Sequence, residues 1–214
     1  MKRAVLAVIT LGLLAGLFRW VPLFHLVPLR QTQSRQAAAE FNASKVAAAF
    51  WNDQLLKSLD RAADASRVLT ALAADPQSAR AQFGRTLGVS SSTLFFLRGT
   101  GRVVSVTKKG VALALKKDSD APDVLLPTGL LFGNAVRDGT GLLDASAFPN
   151  SQNFNDLSAE LNRLVETTVL PRLRELAKPG VYLSFAGCAE VADEDADVKP
   201  LKFIPVFVNP ESPP

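Results

Sequence analysis

The sequence predicts an α+β chain: an N-terminal membrane-anchor helix, a helical segment, and then a small five-stranded barrel in the order β-β-β-α-β-β. Three observations predict it. An uncharged apolar run follows Lys2-Arg3 at the N-terminus. Apolar residues in 42–73 recur at spacings of three to five, mostly those of one helix face. From residue 93 the chain turns to short β-branched and aromatic stretches, with one helical stretch between the third and the fourth.

Residues 4–18 carry no charge, the length of the apolar region of an export signal. With Arg19 snorkelling, the apolar stretch runs on through Trp20 and Phe24 to Leu29, long enough to span a bilayer. Leu14 is a poor residue for the −3 position of a cleavage after Gly16, so the segment reads as an anchor that stays on the chain. A cleaved signal and a buried core helix are the alternatives. Lys2 and Arg3 favour a cytoplasmic N-terminus, which places the rest of the chain outside the inner membrane. His25 fits an interfacial polar residue.

In residues 42–73, Asn42 is a candidate N-cap, with Phe41 before it able to staple onto Val46. Asp75-Pro76 stops that run and restarts it, Asp75 as cap and Pro76 as first helical residue, with the second helix ending near 84–88. The first strand falls in 93–106, where Gly99 and Gly101 mark a bend or bulge. Lys108-Lys109-Gly110 turns the chain into a second strand at 111–115, and 124–137 contains the third. A helix at 154–176 has Phe154, Leu157, Leu161 and Leu164 on one face, and Pro171 should kink or divide it. Strands four and five fall at 181–191 and 201–208, with Pro205 marking an edge or bulge. This order is that of an OB-fold, a five-stranded Greek-key barrel. The divisions are 1–30 anchor, 31–92 helical segment, 93–209 OB-like barrel and 210–214 tail.

Composition narrows the chemistry. The 214 residues hold one cysteine, Cys188, and one histidine, His25, which lies in the apolar N-terminal stretch. An internal disulfide, cysteine-rich zinc sites and histidine-based catalysis in the barrel are therefore excluded. The net charge of +4 belongs to the N-terminus: residues 1–39 carry five basic side chains and no acid, and the remainder carries 19 basic and 20 acidic. A near-neutral domain lacks the basic surface expected of a nucleic-acid binder. The acidic run Asp193-Glu194-Asp195-Ala196-Asp197 lacks the pattern of a calcium loop and reads as a solvated turn. No metal and no cofactor is expected.

The informative stretch joins Asn134, Arg137 and Asp138 to Phe148, Asn150, Gln152 and Phe154. Amides and a carboxylate can bind sugar hydroxyls, and aromatics can pack on a sugar face. The structural alternative pairs Arg137 with Asp138 and uses an asparagine as helix cap.

Gly133-x-x-x-Arg137-Asp138, then Gly141, then Phe148-x-Asn150 and Gln152-x-Phe154, resembles the DUF2291 family of predicted periplasmic lipoproteins. Phe41-Asn42-Ala43, Phe50-Trp51, Gly99-Thr100-Gly101-Arg102-Val103, Ala159-Glu160-Leu161-Asn162, residues 181–188 and Ile204-Pro205-Val206 resemble further segments of that family. The likeness covers most of residues 40–208, although the lipid-attachment cysteine motif of some members is missing. It implies an accessory role beside a sugar-type ABC uptake system. The leading reading is a non-catalytic binding or accessory module whose ligand, an envelope protein or a saccharide, meets the seven residues above. Two other readings compete: a saccharide-processing enzyme using carboxylates such as Asp138 and Asp144, which needs two acids facing one cleft, and an OB-fold nucleic-acid binder.

Overall fold

The computed structural model describes residues 41–87, 91–144, 148, 151–193 and 197–213. The chain divides into a unit of residues 1–41 and a second unit from Asn42 to Pro214. The expected anchor, with His25, lies outside the described residues. Among the described residues no helix is long and apolar enough to cross a membrane.

Helix α1 (Ala43–Phe50) starts where Asn42 Oδ1 accepts the N–H of Lys45 at 2.9 Å. It runs on through a wide π turn (Trp51–Leu55) and a tight 3-10 turn (Leu56–Arg61). The single helix expected over 42–73 is broken here. Ala62 is extended, and strand β1 (Ala63–Asp64) pairs parallel with the barrel, Asp64 opposite Arg98. Asp64 then caps α2 (Ala65–Ala74), accepting the N–H of Arg67 at 2.8 Å. Asp75 caps α3 (Pro76–Phe83) in the same way, with Pro76 leading, and β2 (Gly84–Arg85) follows.

Five strands make the barrel: β3 (Thr93–Thr107), β4 (Gly110–Ala114), β5 (Val124–Pro127), β6 (Tyr182–Val191) and β7 (Leu201–Glu211). Neighbours run β3-β4-β5-β7-β6 and return to β3, all antiparallel except β5 with β7. The ring has one thin seam: β5 and β7 share two paired positions, Val124 with Leu201 and Leu125 with Lys202. Asp123 ties that seam. Its N–H donates to Leu113 O at 2.8 Å, its carbonyl accepts from Leu201 N at 3.0 Å, and its carboxylate accepts from Leu115 N at 2.8 Å.

Period-two burial on these strands builds the core. Phe95, Leu97, Val103, Val111, Leu113, Val124, Leu126 and Leu183 are fully buried, and Phe185 meets Phe203 edge-on with ring centres 5.2 Å apart. Gly99 and Gly101 do not break register with β6, which is continuous from Thr93 to Arg102. The irregularity comes just after them, where Val104 is extra opposite β4. The glycines serve close packing: a Cβ on Gly99 would lie 3.2 Å from the Phe185 ring and 3.4 Å from Ala65 of α2. Pro205 does sit at a bulge, opposite Gly187.

The third strand ends at Pro127, and Arg137 lies on a one-turn helix, α4 (Ala135–Asp138). Helix α5 (Ser151–Leu164) passes through a π turn (Val165–Val169) into α6 (Leu170–Leu176). Pro171 stands in the first turn of α6, and the widened turn before it takes up the missing N–H. Helix α1 packs on α5, and α6 packs on β7.

Candidate functional site

Helix α4 rests on the outside of the barrel. Ala135 joins Leu94 and Cys188 in an apolar cluster edged by Phe96 and Ile204. Gly139 makes this approach possible, since a Cβ there would lie 2.8 Å from the Cys188 sulfur. Arg137 and Asp138, 5% and 7% exposed, form a fork-on-fork pair: Nε donates to Oδ1 at 2.6 Å and Nη2 to Oδ2 at 2.7 Å. Nη1 donates to Phe154 O at 3.1 Å, and the guanidinium lies 3.5 Å above the centre of the Phe154 ring. Phe154 in turn meets Phe148 at 5.0 Å.

These contacts clasp α4 to the start of α5. Asn134 adds to the clasp, its Oδ1 accepting from Ser158 Oγ at 3.0 Å. Gln152 stands apart, exposed on α5 and donating to Asp156 at 2.7 Å. Asn150 lies outside the described residues. The structure thus brings Asn134, Arg137, Asp138, Phe148 and Phe154 together, with most of their polar atoms directed into the protein.

The clasp borders open space at one edge. Asp138 and Phe154 line a cleft of about 270 Å³ with Leu87, Gly141, Asp144 and Arg85. Arg85 also lines a second cleft, of about 380 Å³, with Arg61, Gln82 and Thr140. Gly141 has φ +67, and a Cβ on it would stand 2.4 Å from Arg85 Nη1, so this glycine makes room for the arginine. Arg85 escaped the sequence reading, and Gly141 was its only trace.

A larger cleft, about 660 Å³, opens where β1 meets the barrel. Strand register explains it. Arg98, Ala186 and Phe207 form one row across β3, β6 and β7. The small Ala186 leaves space between the arginine and the aromatic ring. Asp60, Asp64 and Thr100 complete the polar wall. Asp64 uses Oδ1 on its helix cap, whereas the side chains of Asp60 and Arg98 make no hydrogen bond or ion pair among the described residues. No local motif marks these positions; topology alone assembles them.

Other candidate groups are used internally. Burial pushes the Cys188 thiol above its ordinary range, with the charge of Asp138 acting in the same direction. Cys188 should therefore resist iodoacetamide in the folded protein and react once urea unfolds it, read by mass spectrometry as a single added adduct. Rapid labelling of the native protein would contradict this. In the acidic run, Asp197 accepts the N–H groups of Asp193 and Ala192 at 3.1 and 3.0 Å, which together hold its carboxyl below the usual range against the opposing effect of burial. Residues 194–196 lie outside the described residues. Among the described residues no group of three potential ligands could hold a metal ion.

A sequence profile described as "Predicted periplasmic lipoprotein (DUF2291)" matches residues 8–209. No curated protein matches the chain. Among solved structures, the crystal structure of an OB-fold protein from Thermotoga maritima MSB8 superposes with a TM-score of 0.73, covering 81% of this chain and 100% of that one at 23% identity. That likeness establishes the barrel as an OB-fold.

Proposed function

The chain belongs to the DUF2291 family of predicted periplasmic lipoproteins, and on that premise we propose that it is an extracytoplasmic, membrane-associated binding protein without catalytic activity. Its ligand is a saccharide held in the cleft of Asp60, Asp64, Arg98, Thr100 and Phe207, and its partner is a component of a sugar-type ABC uptake system. The observation that carries this reading is the composition of that cleft. An aromatic ring faces polar side chains across about 660 Å³, and two of those side chains have no partner among the described residues. Carboxylate and guanidinium groups bind hydroxyl pairs, and a ring covers an apolar sugar face.

The competing readings have less support. Asp138 and Asp144 share a cleft, but both oxygens of Asp138 accept from Arg137, which leaves neither free to deliver a proton to a leaving group. For nucleic acid, the second and third barrel strands would supply stacking rings and cations. Here β4 reads Gly-Val-Ala-Leu-Ala and β5 Val-Leu-Leu-Pro, with neither. In this reading membrane attachment is assigned to the apolar N-terminal segment, since Cys188, the one cysteine in the sequence, is buried.

Titration of the full-length protein with a panel of neutral and acidic saccharides tests the ligand. At least one should bind, and Arg98→Ala and Phe207→Ala should each weaken it roughly tenfold, the loss of about one charge-assisted hydrogen bond or one stacking face. A panel that binds nowhere, or binding indifferent to both substitutions, would sink the saccharide assignment. Crosslinked pull-downs from the native envelope test the partner, and recovery without transporter or solute-binding components would remove that part.

A further inference from the structure

We propose that loop 128–133, between β5 and α4, is a membrane-contacting tip that seats Leu130 and Phe132 in the interfacial layer of an anionic lipid bilayer. This rests on the membrane association read above and is independent of the saccharide cleft. Leu130 is 76% exposed and Phe132 79% exposed, the two most exposed large apolar side chains among the described residues. Between them Leu131 is buried. Such a loop would ordinarily collapse to hide its apolar side chains, yet this one is pinned open at three points by the α5–α6 helix. Arg174 Nη2 donates to Thr128 O at 2.5 Å, Leu131 N donates to Glu166 at 2.6 Å, and Asn162 Nδ2 donates to Gly133 O at 3.0 Å. Glycines flank the tip, Gly133 at φ +88, with nothing within 4 Å of a Cβ on either Gly129 or Gly133.

Two large apolar side chains that the fold itself holds out to solvent form a small contact surface. The occupant follows from shape and charge. Two side chains on a convex tip need no shaped pocket and suit a fluid interface. Glu166 is tied to the Leu131 amide, while the exposed Arg174 stands at the base of the loop and can meet lipid phosphate. Two apolar side chains bind lipid weakly by themselves. The uncharged N-terminal stretch, residues 4–18, supplies the first attachment, and a weak second contact then acts at high local concentration.

The test uses the full chain reconstituted in vesicles of phosphatidylglycerol and phosphatidylethanolamine. Leu130→Cys carries an environment-sensitive dye, and Lys108→Cys in the β3–β4 turn is the comparison; Cys188 is buried and stays unlabelled. The dye at 130 should shift to the blue and be quenched by spin-labelled lipid, while the dye at 108 should do neither. Adding Phe132→Ser should abolish the shift without lowering the melting temperature. A dye at 130 that is as wet as the one at 108 overturns the proposal. Shielding seen only in native envelopes also overturns it, and assigns the tip to a protein partner.

Discussion

Arg137→Ala should destabilise the fold by about 3–5 kcal/mol, because it leaves the Asp138 carboxylate buried with its guanidinium partner gone. At the usual sensitivity of a domain of this size, that is a fall in Tm of roughly 6–20 °C, read by circular dichroism. The same substitution takes the cation off the Phe154 ring and unties α4 from the start of α5. The double variant Arg137→Met/Asp138→Leu separates pairing from packing. It removes both charges together and should recover most of the loss. A Tm within about 2 °C of wild type for Arg137→Ala would show that the pair does not hold the fold, since even 1 kcal/mol moves Tm by that much. Arg137→Ala is also unsuitable for locating a ligand, because lost binding would report lost structure.

The second large effect is expected at Gly187. A Cβ there would stand 2.1 Å from Ile204 O and 2.9 Å from Pro205 Cα, both backbone atoms at the β6–β7 bulge. A flexible side chain could swing aside; a paired strand cannot. Gly187→Ala should therefore cost about 3 kcal/mol or more, the upper end of overpacking, seen as a lower urea midpoint. Gly129→Ala is the matched comparison, with nothing within 4 Å, and should change stability by less than about 0.5 kcal/mol. Equal midpoints for the two variants would mean that β6 and β7 separate at no cost.

Comparison of these positions shows what sequence carries and what it does not. Local chemistry was legible: Asn42 and Asp75 cap because a short side-chain oxygen before a helix meets free N–H groups, and the strand order followed from turns and period-two stretches. The break before Asp64 was not, because it exists to lay β1 beside Arg98, a demand made by a strand more than thirty residues away. The Arg137–Asp138 pair was visible as a motif, and its mutual pairing was one of the two readings the residues left open. Whether such residues face a ligand or each other depends on where α4 lands, and that is set by Gly139 against Cys188. The cleft of Asp60, Arg98 and Phe207 left no mark in any window, since register across three strands creates it.

The thin seam between β5 and β7 gives the barrel an unequal mechanical character. A cylinder breathes where its staves are least joined, and here two residue pairs separate a closed ring from an open, twisted ribbon. Asp123 acts as the latch, since its amide, carbonyl and carboxylate each hold a different stretch of chain. Release of that residue would loosen the β5–β7 seam first, while the long β3–β6–β7 wall, which carries Arg98 and Phe207, keeps its own pairing. The barrel thus yields along one line, between β5 and β7, while the β3–β6–β7 face stays joined as that line opens.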